Sequence, residues 1–133
     1  MAFVADNSVI FAWFVASQAT DYTRALLDRA ASEVIHVPAI WRAEFASATL
    51  AFTHNRRIRP AAVPAIMDAI DQLDVIIDTS PPSTRGLIEL AQRHALGAYD
   101  ACYLELALRL GLPLAASDGA LRKAAARVGI LLA

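Results

Sequence analysis

The sequence predicts an α/β domain with three layers, in which helices cover both faces of a mostly parallel sheet of about five strands. Short apolar runs without polar alternation recur along the chain, as expected of strands that are buried on both faces. Amphipathic helical segments separate these runs, which is the pattern of consecutive strand–helix units. The length of 133 residues fits one domain. We therefore expect residues 1–133 to form a single domain.

The chain begins with a strand expected at Ala2–Asp6, a short apolar run that ends in an acid. A helix is expected from Ser8 to Val15, with Asn7 or Ser8 as its N-terminal cap. The next helix is expected over Asp21–Ala31, where alanine and leucine side chains recur along one face.

The β-branched run Val34–Val37 predicts the second strand. Pro38 suits the first turn of a helix, so a long helix is expected over Pro38–His54. The basic stretch Arg56–Arg59 interrupts the pattern, and Pro60 follows it. A further helix is expected over Ala61–Leu73.

The third strand is expected at Val75–Ile77, and two prolines then break the chain. Helices follow over Ser83–Ala95 and Asp100–Leu110, and glycines near the end of each indicate where it stops. The C-terminal elements are a weak strand, a helix and a last strand, expected at Leu114–Ala116, Asp118–Arg127 and Ile130–Leu132.

Composition excludes several classes of protein. Charged residues make up 19% of the chain and apolar residues 57%, which rules out a disordered chain. No apolar stretch reaches the roughly 18–20 residues of a membrane-spanning helix, and no signal peptide is recognisable. The single cysteine, Cys102, excludes an internal disulfide and a cysteine-based zinc site. We expect a soluble, cytoplasmic protein without membrane association.

Four acids are expected at one edge of the sheet. Asp6 ends the first strand and Asp118 follows the fourth, while Asp100 begins the helix that leads away from the same edge. Glu44 lies in the helix after the second strand, and helical side chains lean back towards the N-terminus. Ligands of open α/β sheets bind beyond the carboxyl ends of the strands. The four acids therefore predict a functional site.

Clustered carboxylates point to a divalent cation. Like charges at short range raise each other's pKa, and a bound cation relieves this conflict. Mg²⁺ and Mn²⁺ prefer oxygen ligands, and such sites serve phosphoryl chemistry. The formal net charge is −1, but with the four acids neutralised the rest of the chain carries about +3. A polyanionic substrate is therefore not excluded.

Each of these acids also has a structural interpretation. Asp6, Asp100 and Asp118 each fit the N-terminal cap of a helix. Glu44 fits an exposed or ion-paired residue equally well. Asp78 ends the third strand and competes as a fifth ligand, although the turn sequence after it favours an ordinary strand end.

The basic cluster of the chain contains Arg56, Arg57 and Arg59. A solvated helix end is the favoured interpretation of this cluster, and contact with an RNA backbone is the alternative. The histidines His36, His54 and His94 are scattered along the chain, and none is expected to be a catalytic base.

Four segments carry a resemblance to a known family. In chain order, they are a strand that ends in Asp, a helix that starts with Pro and contains Glu, a helix that starts with Tyr-Asp-Ala, and a late strand followed by Asp. The segments are Phe3–Ser8, Val37–Glu44, Ala98–Leu104 and Ala115–Asp118. In this combination the chain resembles a PIN domain, specifically the VapC ribonuclease toxins of bacterial and archaeal toxin–antitoxin pairs.

The resemblance implies a five-stranded parallel sheet in the order 3-2-1-4-5. It implies that the Ser8 hydroxyl holds a carboxylate or a substrate phosphate. Ser117 stands where the family commonly has threonine, so the hydroxyl is kept. The metal-binding and catalytic residues implied by the resemblance are Asp6, Glu44, Asp100 and Asp118.

By the same resemblance, the protein is expected to be a Mg²⁺- or Mn²⁺-dependent endoribonuclease that hydrolyses a phosphodiester bond without a covalent enzyme intermediate. It is expected to form a homodimer and a larger hetero-oligomer with a VapB-type antitoxin. One alternative is a degenerate, non-catalytic PIN domain that dimerises or binds RNA. A phosphatase with an Asp nucleophile is disfavoured, because Ser8 stands where such enzymes have a second Asp.

Overall fold

A parallel sheet of four short strands forms the centre of the protein. The structure is a computed structural model, and it describes residues 1–117 and 119–133. Its strands are β1 (Ala2–Ala5), β2 (Val34–Val37), β3 (Val75–Ile77) and β4 (Leu114–Ala115). They lie in the order β3-β2-β1-β4, and every neighbouring pair is parallel. The predicted class, α/β with helices packed around a parallel sheet, is confirmed.

Seven α-helices are present in the described residues. They are α1 (Asn7–Phe14), α2 (Asp21–Ala30), α3 (Trp41–His54), α4 (Val63–Asp71), α5 (Thr84–His94), α6 (Ala98–Leu110) and α7 (Gly119–Arg127). Single 3-10 turns at Ala16–Gln18 and Pro60–Ala62 connect some of them. None of these helices combines the length and the apolar character that a membrane crossing requires.

The central strand β1 lies at the middle of the core. Its consecutive residues Phe3, Val4 and Ala5 are all fully buried. Successive side chains of a strand point to opposite faces, so this strand must be covered on both of them. Val4 pairs with His36 of β2 on one side and with Leu114 of β4 on the other. This placement fixes the end of β1 at the centre of the sheet edge.

The predicted fifth strand is reduced to a single bridge. Residues 130–132 run parallel to β4, but only Leu131 pairs with it, opposite Leu114. The Leu114 N–H donates to the carbonyl of Ile130, and the Leu132 N–H donates to the carbonyl of Leu114. Because β4 has only two residues, it offers too little backbone for a longer ladder. The position beside β4 agrees with the predicted order, whereas the count of five strands is wrong.

Several helix ends differ from the sequence prediction. The helix α1 is capped by Asp6, which accepts a hydrogen bond from the Val9 N–H, and not by Asn7 or Ser8. The helix α3 begins at Trp41, because the residues after Pro38 first form a turn closed by the Trp41 N–H and the Pro38 carbonyl. The helix α6 begins at Ala98, two residues earlier than predicted.

An aromatic cluster fixes α3 against α1. The ring of Phe11 meets the rings of Phe45 and Phe52 edge to face, with centroids 5.7 and 4.8 Å apart. Phe14 and Trp41 complete the cluster around Phe45. Edge-to-face contacts stabilise aromatic pairs beyond the burial of their area. The residue before Phe45 is Glu44, so the cluster holds this acid in place.

Candidate active site

Asp6 lies at the point where the central strand passes into α1. Its backbone N–H donates to the carbonyl of Ala115 in β4, which ties the residue to the sheet edge. One carboxylate oxygen, Oδ1, accepts hydrogen bonds from the Ser8 hydroxyl at 2.7 Å and from the Val9 N–H at 3.1 Å. These two contacts fix the orientation of the carboxylate. The cap predicted as an alternative to a site role is therefore real, but it occupies only one oxygen.

Glu44 lies in the first turn of α3 and is half-buried. The hydroxyl of Tyr103 donates a hydrogen bond to its Oε1 at 2.6 Å. Tyr103 comes from α6 and exposes 1% of its surface, so its hydroxyl is held firmly. Glu44 is thus not exposed, and among the residues that the structure describes no basic side chain pairs with it, contrary to its structural interpretation.

Asp100 is the third residue of α6. The structural interpretation placed Asp100 at the N-terminal cap of this helix, but Gly97 occupies that position. Residues three apart on a helix share a face, so Asp100 and Tyr103 both face the same side of α6. This side also faces Glu44, which Tyr103 contacts.

Asp6, Glu44 and Asp100 line one cleft of about 310 Å³, together with Ser8 and Tyr103. We call this cavity the carboxylate cleft. Among the described residues that line it, none is a lysine, arginine or histidine. The structure thus brings together three of the four predicted acids without a basic side chain between them.

The pKa values of the three acids reflect this arrangement. Burial raises the pKa of Asp6 to about 6, against the hydrogen bonds from Ser8 and Val9, and the charges of Asp100 and Glu44 raise it further. Burial also raises the pKa of Glu44, and the charge of Asp100 adds to this effect. The pKa of Asp100 is raised by burial as well. A cation in the cleft would relieve all three.

Three helix N-termini meet at the cleft. Asp6 caps α1, and Glu44 and Asp100 lie in the first turns of α3 and α6. The N-terminal end of a helix carries a partial positive charge, which favours a carboxylate or a phosphate nearby. The backbone therefore supplies part of the compensation for the clustered negative charge.

The donor chemistry of the cleft fits a hard divalent cation. All three acids offer oxygen ligands, as Mg²⁺ and Mn²⁺ require. Burial raises the pKa of all three acids, and no basic side chain among the described lining residues offsets this. Within residues 1–117 and 119–133, however, no three His, Cys, Asp or Glu side chains form a preformed metal cluster. The fit therefore rests on ligand type and on the shared cleft.

The remaining predicted site residues lie in different places. Asp118 lies outside the described residues. Ser117 is half-buried beyond the end of β4. Asp78, the competitor for a fifth ligand, pairs with Arg109 at 2.8 Å, and this guanidinium lowers its pKa.

The basic cluster is shaped by the end of α3. Arg56 adopts the left-handed region at a φ of 60°. The N–H of Arg57 then donates to the carbonyl of Phe52, and that of Arg56 to the carbonyl of Thr53, which together form a Schellman motif. This turn places the Arg57 guanidinium 4.3 Å from the centre of the Phe52 ring. Because Phe52 also lines the carboxylate cleft, Arg57 lies near it.

Arg59 and Arg57 line a second cavity beside this turn, and Arg56 is exposed. Of the three arginines predicted as possible RNA contacts, Arg57 is therefore the one connected to the cleft through a shared neighbour.

Comparison with known proteins identifies the family. The family model described as "PIN domain" matches residues 3–127. The chain belongs to the PIN domain family. The PIN fold is generally a nuclease fold, and its nucleases usually use divalent metal ions. This assignment confirms the resemblance at the level of the PIN domain.

A solved structure supports the fold of this PIN domain. The chain is similar to the crystal structure of PAE2754 from Pyrobaculum aerophilum, with a TM-score of 0.69 and 18% sequence identity. The similarity covers 93% of this chain and 79% of that chain. At this identity it bears on the fold alone. No curated protein matches the chain in a sequence comparison.

Sequence reasoning missed the part that Tyr103 plays in this PIN domain. Its hydroxyl contacts Glu44, which is 59 positions away in the sequence. The available signal was the spacing of three between Asp100 and Tyr103, which places both on one helical face. Asn7 was also missed: it lines the carboxylate cleft, and its buried side-chain oxygen has no hydrogen-bond partner among the described atoms.

Proposed function

We propose that this PIN domain is a Mg²⁺- or Mn²⁺-dependent endoribonuclease that hydrolyses RNA phosphodiester bonds. The observation that carries the proposal is the carboxylate cleft, in which Asp6, Glu44 and Asp100 meet without a basic side chain among the described lining residues. The family is generally one of metal-dependent nucleases. Buried carboxylates of this kind suit the binding of a divalent cation.

Asp6, Glu44 and Asp100 would hold the cation, with Asp118 as a fourth proposed ligand. When bound, the cation would polarise the phosphate, lower the pKa of a water molecule and stabilise the leaving oxygen. Ser8 and the Val9 N–H orient Asp6 through Oδ1. Tyr103 orients Glu44 through Oε1.

Charge outside the cleft supports an RNA substrate. The guanidinium of Arg57 lies over the ring of Phe52, a residue that lines the cleft. We propose that it contacts a phosphate of the RNA beside the cleft. Arg56 and Arg59 extend the positive charge along the same turn. Arginine suits phosphate contacts because its planar guanidinium donates two parallel hydrogen bonds. We therefore propose that the RNA backbone passes over this turn.

The finer proposal is a VapC-type toxin that is inhibited by a VapB-type antitoxin in the cytoplasm. It is supported by the four sequence motifs that end in or contain Asp6, Glu44, Asp100 and Asp118. We propose a homodimer of the toxin and a larger complex with the antitoxin. Light scattering during size exclusion, with and without the co-expressed antitoxin, measures both states.

Cleavage of total RNA tests the proposed activity. The antitoxin-free protein is incubated with Mg²⁺ or Mn²⁺, or with EDTA, next to the variants Asp6→Asn and Asp100→Asn. The matched control is Asp78→Asn, which changes the same residue type at the end of another strand. We expect discrete fragments that need the metal, persist in the control and vanish in both cleft variants.

Two results would contradict the proposal. Cleavage that persists in Asp6→Asn and Asp100→Asn would identify a contaminating nuclease. A protein that binds neither Mg²⁺ nor Mn²⁺ and leaves RNA intact would be the non-catalytic module.

A further inference from the structure

Tyr99 presents a large aromatic ring to solvent beside the carboxylate cleft. It exposes 62% of its surface, and it is the single exposed aromatic among the large apolar side chains that the structure describes. It is the second residue of α6 and directly precedes Asp100, which lines the cleft. Neighbouring residues of a helix point about 100° apart. The ring therefore stands at the rim while the Asp100 carboxylate faces inward.

Two further cavities connect Tyr99 with the cleft. One, of about 340 Å³, is lined by Tyr99, Asp100 and Glu44. The other, of about 450 Å³, is lined by Tyr99, Asn7 and Glu44 among others. Glu44 lines both of them and the carboxylate cleft as well. A chain that leaves the cleft along α6 would thus pass the ring of Tyr99.

An RNA strand in an acidic cleft needs contacts that do not depend on charge. The carboxylates of Asp6, Glu44 and Asp100 repel phosphates until a cation is bound. The flat face of a base is uncharged, and single-stranded RNA is commonly held by stacking its bases on aromatic side chains. Around this cleft, Tyr99 is the exposed ring that offers such a face.

We propose that Tyr99 is a stacking site for a base of single-stranded RNA, at the nucleotide next to the phosphate in the carboxylate cleft. The inference rests on the proposed ribonuclease activity and names the residue that would hold a base of the substrate. A base within a duplex already stacks on its neighbours, so it is not free to cover the ring.

Binding of RNA without cleavage tests the stacking site. The measurements use the Asp6→Asn protein with Mg²⁺, so that the RNA stays intact. The probe is a fluorescein-labelled single strand of mixed sequence, about 12 nucleotides long, which lies within the range of about 4–16 nucleotides that a single-strand-binding fold covers. Fluorescence anisotropy gives the Kd of this parent protein and of three double variants, in which it also carries Tyr99→Ala, Tyr99→Phe or Ile88→Ala.

The expected result is a Kd about 5- to 150-fold higher for Tyr99→Ala, as alanine substitution of a stacking aromatic usually gives. Tyr99→Phe keeps the ring and is expected to bind within about twofold of its parent. Ile88→Ala is the control, because Ile88 is similarly exposed at 54% but lies on α5. An RNA of the same length without bases is expected to bind equally to the parent and to Tyr99→Ala.

Three results would overturn the stacking site: an unchanged Kd for Tyr99→Ala, an equal loss for Tyr99→Phe, or an equal loss with the abasic strand. Cleavage by the unmodified protein is measured in parallel. If Tyr99→Ala weakens binding but the unmodified protein never cleaves RNA, the proposed activity fails and the stacking site stands. If cleavage occurs and the KM of Tyr99→Ala is unchanged, the activity stands and the stacking site fails.

Discussion

One acid follows β3 and another follows β1, two strands that β2 separates, and the surroundings of these two acids differ. Asp78, after β3, pairs with Arg109 of α6 at 2.8 Å, and this guanidinium also pairs with Glu105 at 2.6 Å. The pKa of Asp78 is lowered by this contact. Asp6, after β1, meets two further acids in the carboxylate cleft, and burial raises its pKa to about 6.

The difference teaches which acids require an outside partner. A carboxylate that is paired with arginine contributes to folding as it stands. A carboxylate that is buried beside like charges opposes folding until a cation or a proton neutralises it. The carboxylate of Asp78 has its partner within the chain, whereas the carboxylate cleft is where we propose that a cation binds.

The largest expected effect is on the rate of RNA cleavage, and it should differ between two glutamate substitutions, one at each site. Glu44→Gln removes a cleft carboxylate and should lower the rate of RNA cleavage by about 10²- to 10⁴-fold, because metal-ion catalysis is worth several kcal/mol. Glu105→Gln, the control at the arginine site, should cleave within about twofold of the unmodified protein. Gel assays with Mg²⁺ give both rates. Equal losses of rate in the two variants would contradict the claim that only the cleft carboxylate supports cleavage.

The second effect concerns the pH dependence of stability without metal. Between its ordinary pKa of 3.8 and the folded value of about 6, Asp6 binds more protons in the folded than in the unfolded protein. Stability must therefore fall as the pH rises through this window, by up to about 3 kcal/mol from this group. Asp6→Asn should remove that contribution, and urea unfolding at pH 5 and pH 7.5 in EDTA should show about half of it, because pH 5 already lies within the window.

The Asp78→Asn variant sharpens the same experiment, because the pKa of Asp78 is lowered and not raised. Its contribution to stability is present above the ordinary pKa and is lost as the pH falls through the folded pKa. Between pH 5 and pH 7.5, Asp78→Asn should therefore lower stability by the same amount at each pH, whereas Asp6→Asn should flatten the profile. A profile that is the same for Asp6→Asn and the unmodified protein would contradict the account.

A third, smaller effect concerns the hydroxyl of Tyr103, which acts through Glu44 as a positioning group. Tyr103→Phe should weaken Mn²⁺ binding about 10-fold, since groups that orient metal ligands typically contribute at least this much. The matched control is Thr49→Val, because the buried Thr49 hydroxyl donates to the carbonyl of Phe45 at 2.8 Å and Thr49 does not line the cleft. Calorimetric titration measures the Mn²⁺ affinity of both variants, and urea unfolding measures their stability. If both lose a similar free energy of unfolding but only Tyr103→Phe binds Mn²⁺ more weakly, the loss comes from positioning and not from stability.

The smallest effect is on the arginine site itself. Asp78→Asn should lower the free energy of unfolding by about 1 kcal/mol, because the pair with Arg109 is only partly shielded from solvent. Metal binding and RNA cleavage should be unchanged. Urea unfolding at pH 7.5 measures the change in the free energy of unfolding. A loss of Mn²⁺ affinity would show that the two sites are coupled.

The sheet and the meeting of three acids in one cleft could be predicted from the sequence, because strand ends and helix starts are local signals. The runs at Val34–Val37 and Val75–Ile77 have the bounds that the sequence predicted. Parallel strand ends meet at one edge, so the convergence of Asp6, Glu44 and Asp100 followed from their order along the chain.

The rest depended on contacts between distant residues. The hydrogen bond from Tyr103 to Glu44 and the pair between Asp78 and Arg109 join residues 59 and 31 positions apart. No local pattern specifies such pairs. The turn that returns Arg57 over Phe52 depends on a left-handed Arg56, a conformation that glycine usually adopts.

Calorimetric titration of Mn²⁺ into the metal-free protein tests the central claim most directly, because it reports on the cleft without an RNA substrate. The titration is repeated with Asp6→Asn, Asp100→Asn and Asp78→Asn. The account predicts that the unmodified protein and Asp78→Asn bind Mn²⁺ with the same affinity, and that both cleft variants bind at least about 10-fold more weakly. Equal binding by all four proteins, or none by the unmodified protein, would contradict it.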